Sequence, residues 1–293
     1  MACIRNRYRI VRQLTPTTYG GVYLCHDEWV RSRRVVLKCV SLVHAIRMLE
    51  RHRPELQSPD DPRQEKAFAR FQRAWGEKQH PHLVQYLDDF IEGPTLWFVL
   101  EYCTGGDLYS SVNRGENRRL DCTETLAIIH QVAHGVAHLH AHGIAHRDLS
   151  LENILVHRGV CKIGDFGLST RTNELCRERV GKEYYMAPEV VAPHVPYDPK
   201  AADMWSLGII FFILVTGSPL VPLASDEDAA FRAFKKVGVR AVLRAWGMDE
   251  LLEEHTMQLV EGLLQWDPTT RLSIEQVVTH DALKQRPPRR CLV

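Results

Sequence analysis

Residues 8–40 alternate between apolar and polar positions with the period of two that a strand requires. Tyr8-Arg9-Ile10-Val11-Arg12-Gln13-Leu14 runs into a turn, Gly20-Gly21-Val22-Tyr23-Leu24 runs out of it, and Val35-Val36-Leu37-Lys38 is an apolar strand ending on a lysine. A helical stretch follows. Residues 50–64 hold three prolines among charged residues and read as an inserted loop. Beyond it Phe68, Phe71 and Trp75 recur at helical spacing, predicting a helix that packs Phe68 and Trp75 on a core. Residues 82–87 and 96–100 predict a strand pair. Residues 123–142 predict a helix with Leu126, Ile129, Val132 and Val136 on its apolar side, and 154–156 a short buried strand. The most apolar run, 207–215, is about half the length of a membrane span and reads as a buried core helix.

Composition narrows the function classes. With 293 residues and a net charge of +1, the chain has ample sequence for a core and no charge excess suited to nucleic acid or a membrane surface. Eight cysteines are scattered without a Cys-x-x-Cys pair, which fits reduced thiols in a cytoplasmic or nuclear compartment. Met1-Ala2-Cys3 runs straight into charged residues, so neither a signal peptide nor a myristoylation site is expected, and Cys291-Leu292-Val293 is one residue short of a prenylation box. His130, His134 and His138 have a spacing that can ligate a metal, but without a supporting carboxylate they read as a solvated helix face.

The chemistry concentrates in Ala145-His146-Arg147-Asp148-Leu149-Ser150-Leu151-Glu152-Asn153. Apolar residues pin this loop on both sides, through Gly143-Ile144-Ala145 and Ile154-Leu155-Val156. Asp148 can accept a proton from a hydroxyl, and Asn153 can bind a hard cation through its amide oxygen. A second carboxylate, Asp165, sits on a glycine-flanked turn in Lys162-Ile163-Gly164-Asp165-Phe166-Gly167. Either tripeptide alone is an ordinary turn; in this order they suggest a magnesium–nucleotide site. Together they resemble the catalytic and metal-binding loops of a protein kinase. Ala187-Pro188-Glu189 after a polar, basic stretch resembles the end of the kinase activation segment. Asp203-Met204-Trp205 and Trp266-Asp267-Pro268-Thr269-Thr270-Arg271 extend the likeness, which covers roughly residues 8–284.

The resemblance implies an α+β, bilobal fold: a small β-rich N-lobe (8–101), a hinge (102–106), a larger helical C-lobe (107–284) and a flexible, solvated tail (285–293). It implies ATP bound between the lobes by Leu14, Gly20, Val22, Val36, Lys38, Leu100, Glu101, Cys103 and Leu155, with Lys38 on the phosphates. Mg²⁺ would be held by Asn153 and Asp165, with Asp148 as catalytic base. Asp203 would support the catalytic loop, and Glu189 would pair with Arg271. Tyr185 and Glu152 match the serine/threonine class, so the expected partner is a protein substrate with a Ser or Thr acceptor and the expected state a monomer, with no nucleic acid or membrane partner.

Several positions depart from the pattern. The family's three loop glycines fall at Thr15, Thr17 and Gly20, and Tyr19 falls where an aromatic caps the loop tip. The helix glutamate that pairs with the phosphate lysine falls at Phe71 when counted from His80-Pro81; Glu65, Gln72 and Glu77 lie nearby, and the choice stays open. These two departures keep a pseudokinase scaffold as the alternative. Arg147 would take its counter-charge from Glu178, which stands at the usual phospho-acceptor position; a solvated glutamate between Arg177 and Arg179 is the plain alternative. Finally, Ser150 stands where a catalytic lysine is usual and Lys182 where a hydroxyl is usual. Either the two have exchanged roles at Asp148, or Lys182 points to solvent.

Overall fold

The computed structural model describes residues 3–31, 33–51, 61–76, 79–113, 119–192 and 195–284. The N-terminal part is a six-stranded antiparallel sheet in the order β1-β2-β3-β4-β6-β5. Its strands are β1 (Cys3–Ile4), β2 (Tyr8–Thr17), β3 (Gly20–Asp27), β4 (Arg33–Ser41), β5 (Tyr86–Glu92) and β6 (Thr95–Glu101). In β4 the period of two sends Val35, Leu37 and Cys39 into one core and leaves Val36 and Lys38 on the opposite face. That alternation aims Lys38 at the cleft.

Two helices interrupt the sheet, α1 (Leu42–Arg51) and α2 (Pro62–Ala74). The proline-rich stretch therefore ends earlier than its composition suggests, and residues 52–60 lie outside the described set. Asp61 caps α2 by accepting from the Arg63 N–H, and Pro62 occupies the first helical position, where its missing N–H costs nothing.

After the hinge come β7 (Gly106–Asp107), α3 (Leu108–Asn113), α4 (Cys122–Ala141), β8 (Ile144–Ala145), β9 (Ile154–His157), β10 (Val160–Ile163) and β11 (Thr170–Arg171). They are followed by α5 (Pro188–Val191), α6 (Pro199–Thr216), α7 (Ala229–Ala245), α8 (Glu254–Leu263), α9 (Ile274–Val278) and α10 (Asp281–Lys284). The apolar run at 207–215 belongs to α6, whose 18 residues reach the length of a membrane span. Most of them are buried by the surrounding helices, so the helix is the core of this half. The lobes meet through the segment before β5: Val84 N–H donates to Ile163 O at 2.8 Å and Ile163 N–H to His82 O at 2.9 Å. This is a small sheet-rich unit over a helical one. The stretch 285–293, read as a flexible tail, lies outside the described residues.

Candidate active site

Lys38 is held by two carboxylates from different elements. Its ammonium lies 2.9 Å from Glu65 Oε2 on α2 and 2.8 Å from Asp165 Oδ1. Burial works against the ammonium, but Asp165 and Glu65 outweigh it and raise its pKa. The same proximity holds Asp165 down at about 2. Burial raises the Glu65 pKa against the pull of Lys38, and Glu65 also accepts a 2.7 Å bond from the Tyr86 hydroxyl. Gln72 is committed elsewhere: its amide donates to Val84 O and accepts from Tyr86 N–H. Phe71 instead stacks beneath the Arg171 guanidinium, 4.3 Å from its ring centre, and Glu77 lies outside the described residues. Glu65 is thus the partner of Lys38, six residues before the position counted from His80-Pro81.

The catalytic-loop segment hangs from Asp203. One carboxylate oxygen accepts from the His146 N–H and the other from the Arg147 N–H, both at 2.8 Å, and His140 Nε2 lies 2.9 Å away. These bonds support a backbone held in the left-handed region at Arg147 (φ 64°); Asp165, at φ 58°, is the other strained point of the site. His146 Nε2 lies 3.0 Å from Gly164 O, and Gly164 N–H donates to Asn153 O at 2.8 Å, so the two acidic loops share a backbone frame. Asn153 Nδ2 donates to both Asp148 O and Asp148 Oδ2 at 2.7 Å. Asp148 Oδ1 is buried and has no partner among the described residues. On the other side, the Lys182 ammonium lies 3.2 Å from Asp148 Oδ2 and 2.9 Å from Ser150 Oγ.

With its nitrogen engaged by Asp148, Asn153 keeps its amide oxygen for a cation, and the Asp165 carboxylate is half-exposed to the cleft. One carboxylate and one amide oxygen, with phosphate and water completing the shell, is a donor set that suits Mg²⁺. Among the described residues no group of three His, Cys, Asp or Glu side chains could hold a metal; His130, His134 and His138 do not converge on one.

The segment after Asp165 is tied to this frame. Arg147 donates through Nε to Leu168 O at 2.8 Å and through a terminal nitrogen to Glu178 at 2.9 Å. Tyr197 holds the same region through its hydroxyl on Glu178 O and a backbone bridge to Cys176. Further on, Arg271 makes two bonds to Glu189, at 2.6 and 3.0 Å, and the pair is buried.

On the nucleotide side the β2–β3 ladder runs to its tip, where Thr17 pairs with Gly20. A side chain at Gly20 would collide with Cys39 O, so this glycine lets β3 approach β4. Tyr19, beside the tip, is buried edge-on against His44 of α1, while its carbonyl accepts from Ser41 N–H at 2.8 Å. A cavity of about 200 Å³ lies beneath, lined by Thr17, Lys38, Glu65, Asp148 and Asp165 among others. Toward the hinge, Leu100 and Cys103 are buried, whereas Leu14, Val22, Val36 and Leu155 are half-buried. The Glu101 carboxylate pairs with Lys162 at 2.9 Å and accepts the Gln85 N–H, which leaves its backbone carbonyl as the group for the hinge role.

Residues 8–283 match the protein kinase domain. The chain belongs to the protein kinase family. It is 30% identical over 287 residues to the serine/threonine-protein kinase ppk16 of Schizosaccharomyces pombe, a match covering 95% of this chain and 37% of that protein. It is 35% identical over 206 residues to the serine/threonine-protein kinase PLK4 of Drosophila grimshawi (69% and 26%), and 30% identical over 217 residues to the human serine/threonine-protein kinase Nek5 (72% and 28%). The match thus spans between a quarter and two fifths of the length of these relatives.

In this kinase domain, then, Lys38, Asp165, Asp148, Asn153, Lys182 and Ser150 converge on one cleft, whereas Asp203, Glu189 and Arg271 support it from outside. Sequence reasoning left Glu65 among several candidates and missed Tyr86, which fixes it. The signal for Glu65 was present in Asp61-Pro62: a cap followed by proline marks the start of α2 and places Glu65 in its first turn.

Proposed function

We propose that the chain is a serine/threonine protein kinase, transferring the γ-phosphoryl group of ATP to Ser or Thr hydroxyls of a protein substrate. The observation that carries this reading is the Lys38 ammonium held between Glu65 and Asp165, at 2.9 and 2.8 Å. A fixed cation and a carboxylate side by side suit a triphosphate with its metal ion. In this reading Lys38 positions the phosphates, and Asp165 and Asn153 would hold Mg²⁺. The bound ion would supply charge neutralisation at the phosphate oxygens. Asp148 orients the acceptor hydroxyl and takes its proton on the unpartnered oxygen Oδ1. Leu14, Val22, Val36, Leu100, Cys103 and Leu155 would enclose the base.

A scaffold without turnover rested on an unassigned helix glutamate and an irregular nucleotide loop. Glu65 removes the first of these grounds. A monomer acting in the cytoplasm or nucleus completes the proposal. Its support is that Cys25, Cys39, Cys103 and Cys176 are buried thiols.

Purified protein incubated with Mg²⁺ and γ-labelled ATP beside a generic basic acceptor protein tests the reading. Label on serine or threonine, lost in Asp148→Asn, is the expected result; absence of transfer by the wild type rejects it.

A further inference from the structure

The transferring phosphoryl group needs a cation opposite Lys38, near Asp148, and the neighbouring cations are already committed. Lys38 is bound by Glu65 and Asp165, Arg147 by Leu168 O and Glu178, and Lys162 by Glu101. Ser150 is fully buried and carries no charge. Lys182 is different. Its ammonium spends two of three N–H donors on Asp148 and Ser150 among the described residues, and its side chain is 38% exposed. Both of its acceptors belong to the catalytic loop, but Lys182 itself belongs to the segment that Glu178 and Tyr197 hold down. Gly181 makes the crossing possible. At φ 100° it brings the segment so close that a side chain there would sit 2.8 Å from Arg147 O.

We propose that Lys182 is the catalytic cation at the transferring phosphoryl group, delivered by the activation segment. Docking of that segment on Arg147 then assembles the site. This rests on the phosphotransfer reading above. In the step, the acceptor oxygen forms a bond to the γ-phosphorus as the bond to the bridging β–γ oxygen breaks. The hydroxyl proton passes to Asp148 Oδ1, the bridging oxygen's electron pair leaves with ADP, and Lys182 stays protonated throughout. Its third N–H offers a hydrogen bond to a phosphoryl oxygen while the other two hold it on Ser150 and Asp148. The lysine's long stem suits delivery from a separate segment, since a point charge suffices here.

The experiment is steady-state kinetics on wild type, Lys182→Thr, the exchanged double variant Ser150→Lys with Lys182→Thr, and each of these three with Glu178→Gln added; thermal melts confirm folding. Lys182→Thr lowers kcat on the order of 10²-fold, the scale of one lost transition-state donor, with KM for ATP nearly unchanged. The exchanged variant, whose cation sits on the catalytic loop, recovers much of that loss. Glu178→Gln costs wild type much of its kcat but costs the exchanged variant little, because that cation no longer depends on the segment. Wild-type kcat in Lys182→Thr, no recovery in the exchanged variant, or an equal Glu178→Gln penalty in both backgrounds overturns the proposal. If wild type transfers no phosphoryl group at all, the underlying functional reading falls, and this proposal with it. Should Lys182→Thr melt early, Lys182→Met tests the same loss of charge while keeping the stem.

Discussion

Phe68 lies flat on Phe166, with ring centroids 3.7 Å apart and planes within 12° of parallel. The helix that carries Glu65 is therefore packed on the residue next to Asp165, and the Lys38 bridge closes the same contact electrostatically. Packing and charge separate by mutation. Phe68→Ala should destabilise the fold by about 3–5 kcal/mol, the range for an aromatic removed from a core. Glu65→Gln should leave the melting temperature nearly unchanged yet lower kcat/KM roughly 10–100-fold, the scale of one charged hydrogen bond. Equal thermal losses in the two variants would contradict this division.

The sequence made the acidic loops legible because each is a short segment whose chemistry is set locally. Asp148 and Asn153, and Asp165 beside its glycines, needed no long-range information. Asp203 and the Glu189–Arg271 pair were reached through resemblance, and their contacts span 57 and 82 residues. Glu65 was harder because its position was counted backward from His80-Pro81, and that count falls on Phe71, six residues further along the same helix. The buried hydroxyl of Tyr86 looked like one more apolar position in a strand. Tyr19 was legible as an aromatic at the loop tip, but its burial was not, because that comes from the packing of α1 against it. Lys182 and Ser150 were legible as a pair because two departures from one pattern pointed at the same atom.

The hairpin tip should limit ATP binding. Pro16 has no N–H to offer, and Thr17 carries a Cβ at a position where the chain pairs tightly with Gly20. Thr17→Gly is expected to lower KM for ATP about 3-fold, in keeping with steric and backbone effects of ~0.5–1 kcal/mol. An unchanged or higher KM would show that the tip does not govern affinity.

Activity should not require phosphorylation of the segment. Glu178 already occupies Arg147 at 2.9 Å, with its side chain largely shielded. Phosphatase treatment should leave kcat unchanged, whereas Glu178→Ala should lower it roughly tenfold, as expected when a charged hydrogen bond that orders a segment is lost. Activity abolished by phosphatase, or untouched in Glu178→Ala, would refute the assignment.

Stability should fall on mild acidification. Burial, reinforced by His138 and His82, pushes the His80 imidazole from 6.5 down to about 4, and burial also lowers His82, His130 and His138. His80 stacks on His138, which meets the Trp75 edge, and Lys162 adds positive charge nearby. Between those two values the unfolded chain binds a proton that the folded chain refuses. Stability from His80 is thus present above about pH 6.5 and lost as pH falls toward 4. Melting temperatures should drop from pH 7 to pH 5, and His80→Asn should flatten that slope. A slope unchanged in the variant would place the acid sensitivity elsewhere.

The most direct measurement sets nucleotide binding beside turnover in Asp148→Asn. Calorimetry with Mg²⁺–ATP should give wild type and variant nearly equal affinities, because Lys38, Asp165 and the base pocket are untouched. Turnover on a protein acceptor should fall on the order of 10²–10⁴-fold, the contribution of a positioned general base. Binding without transfer in the wild type, or wild-type turnover in Asp148→Asn, would contradict the account.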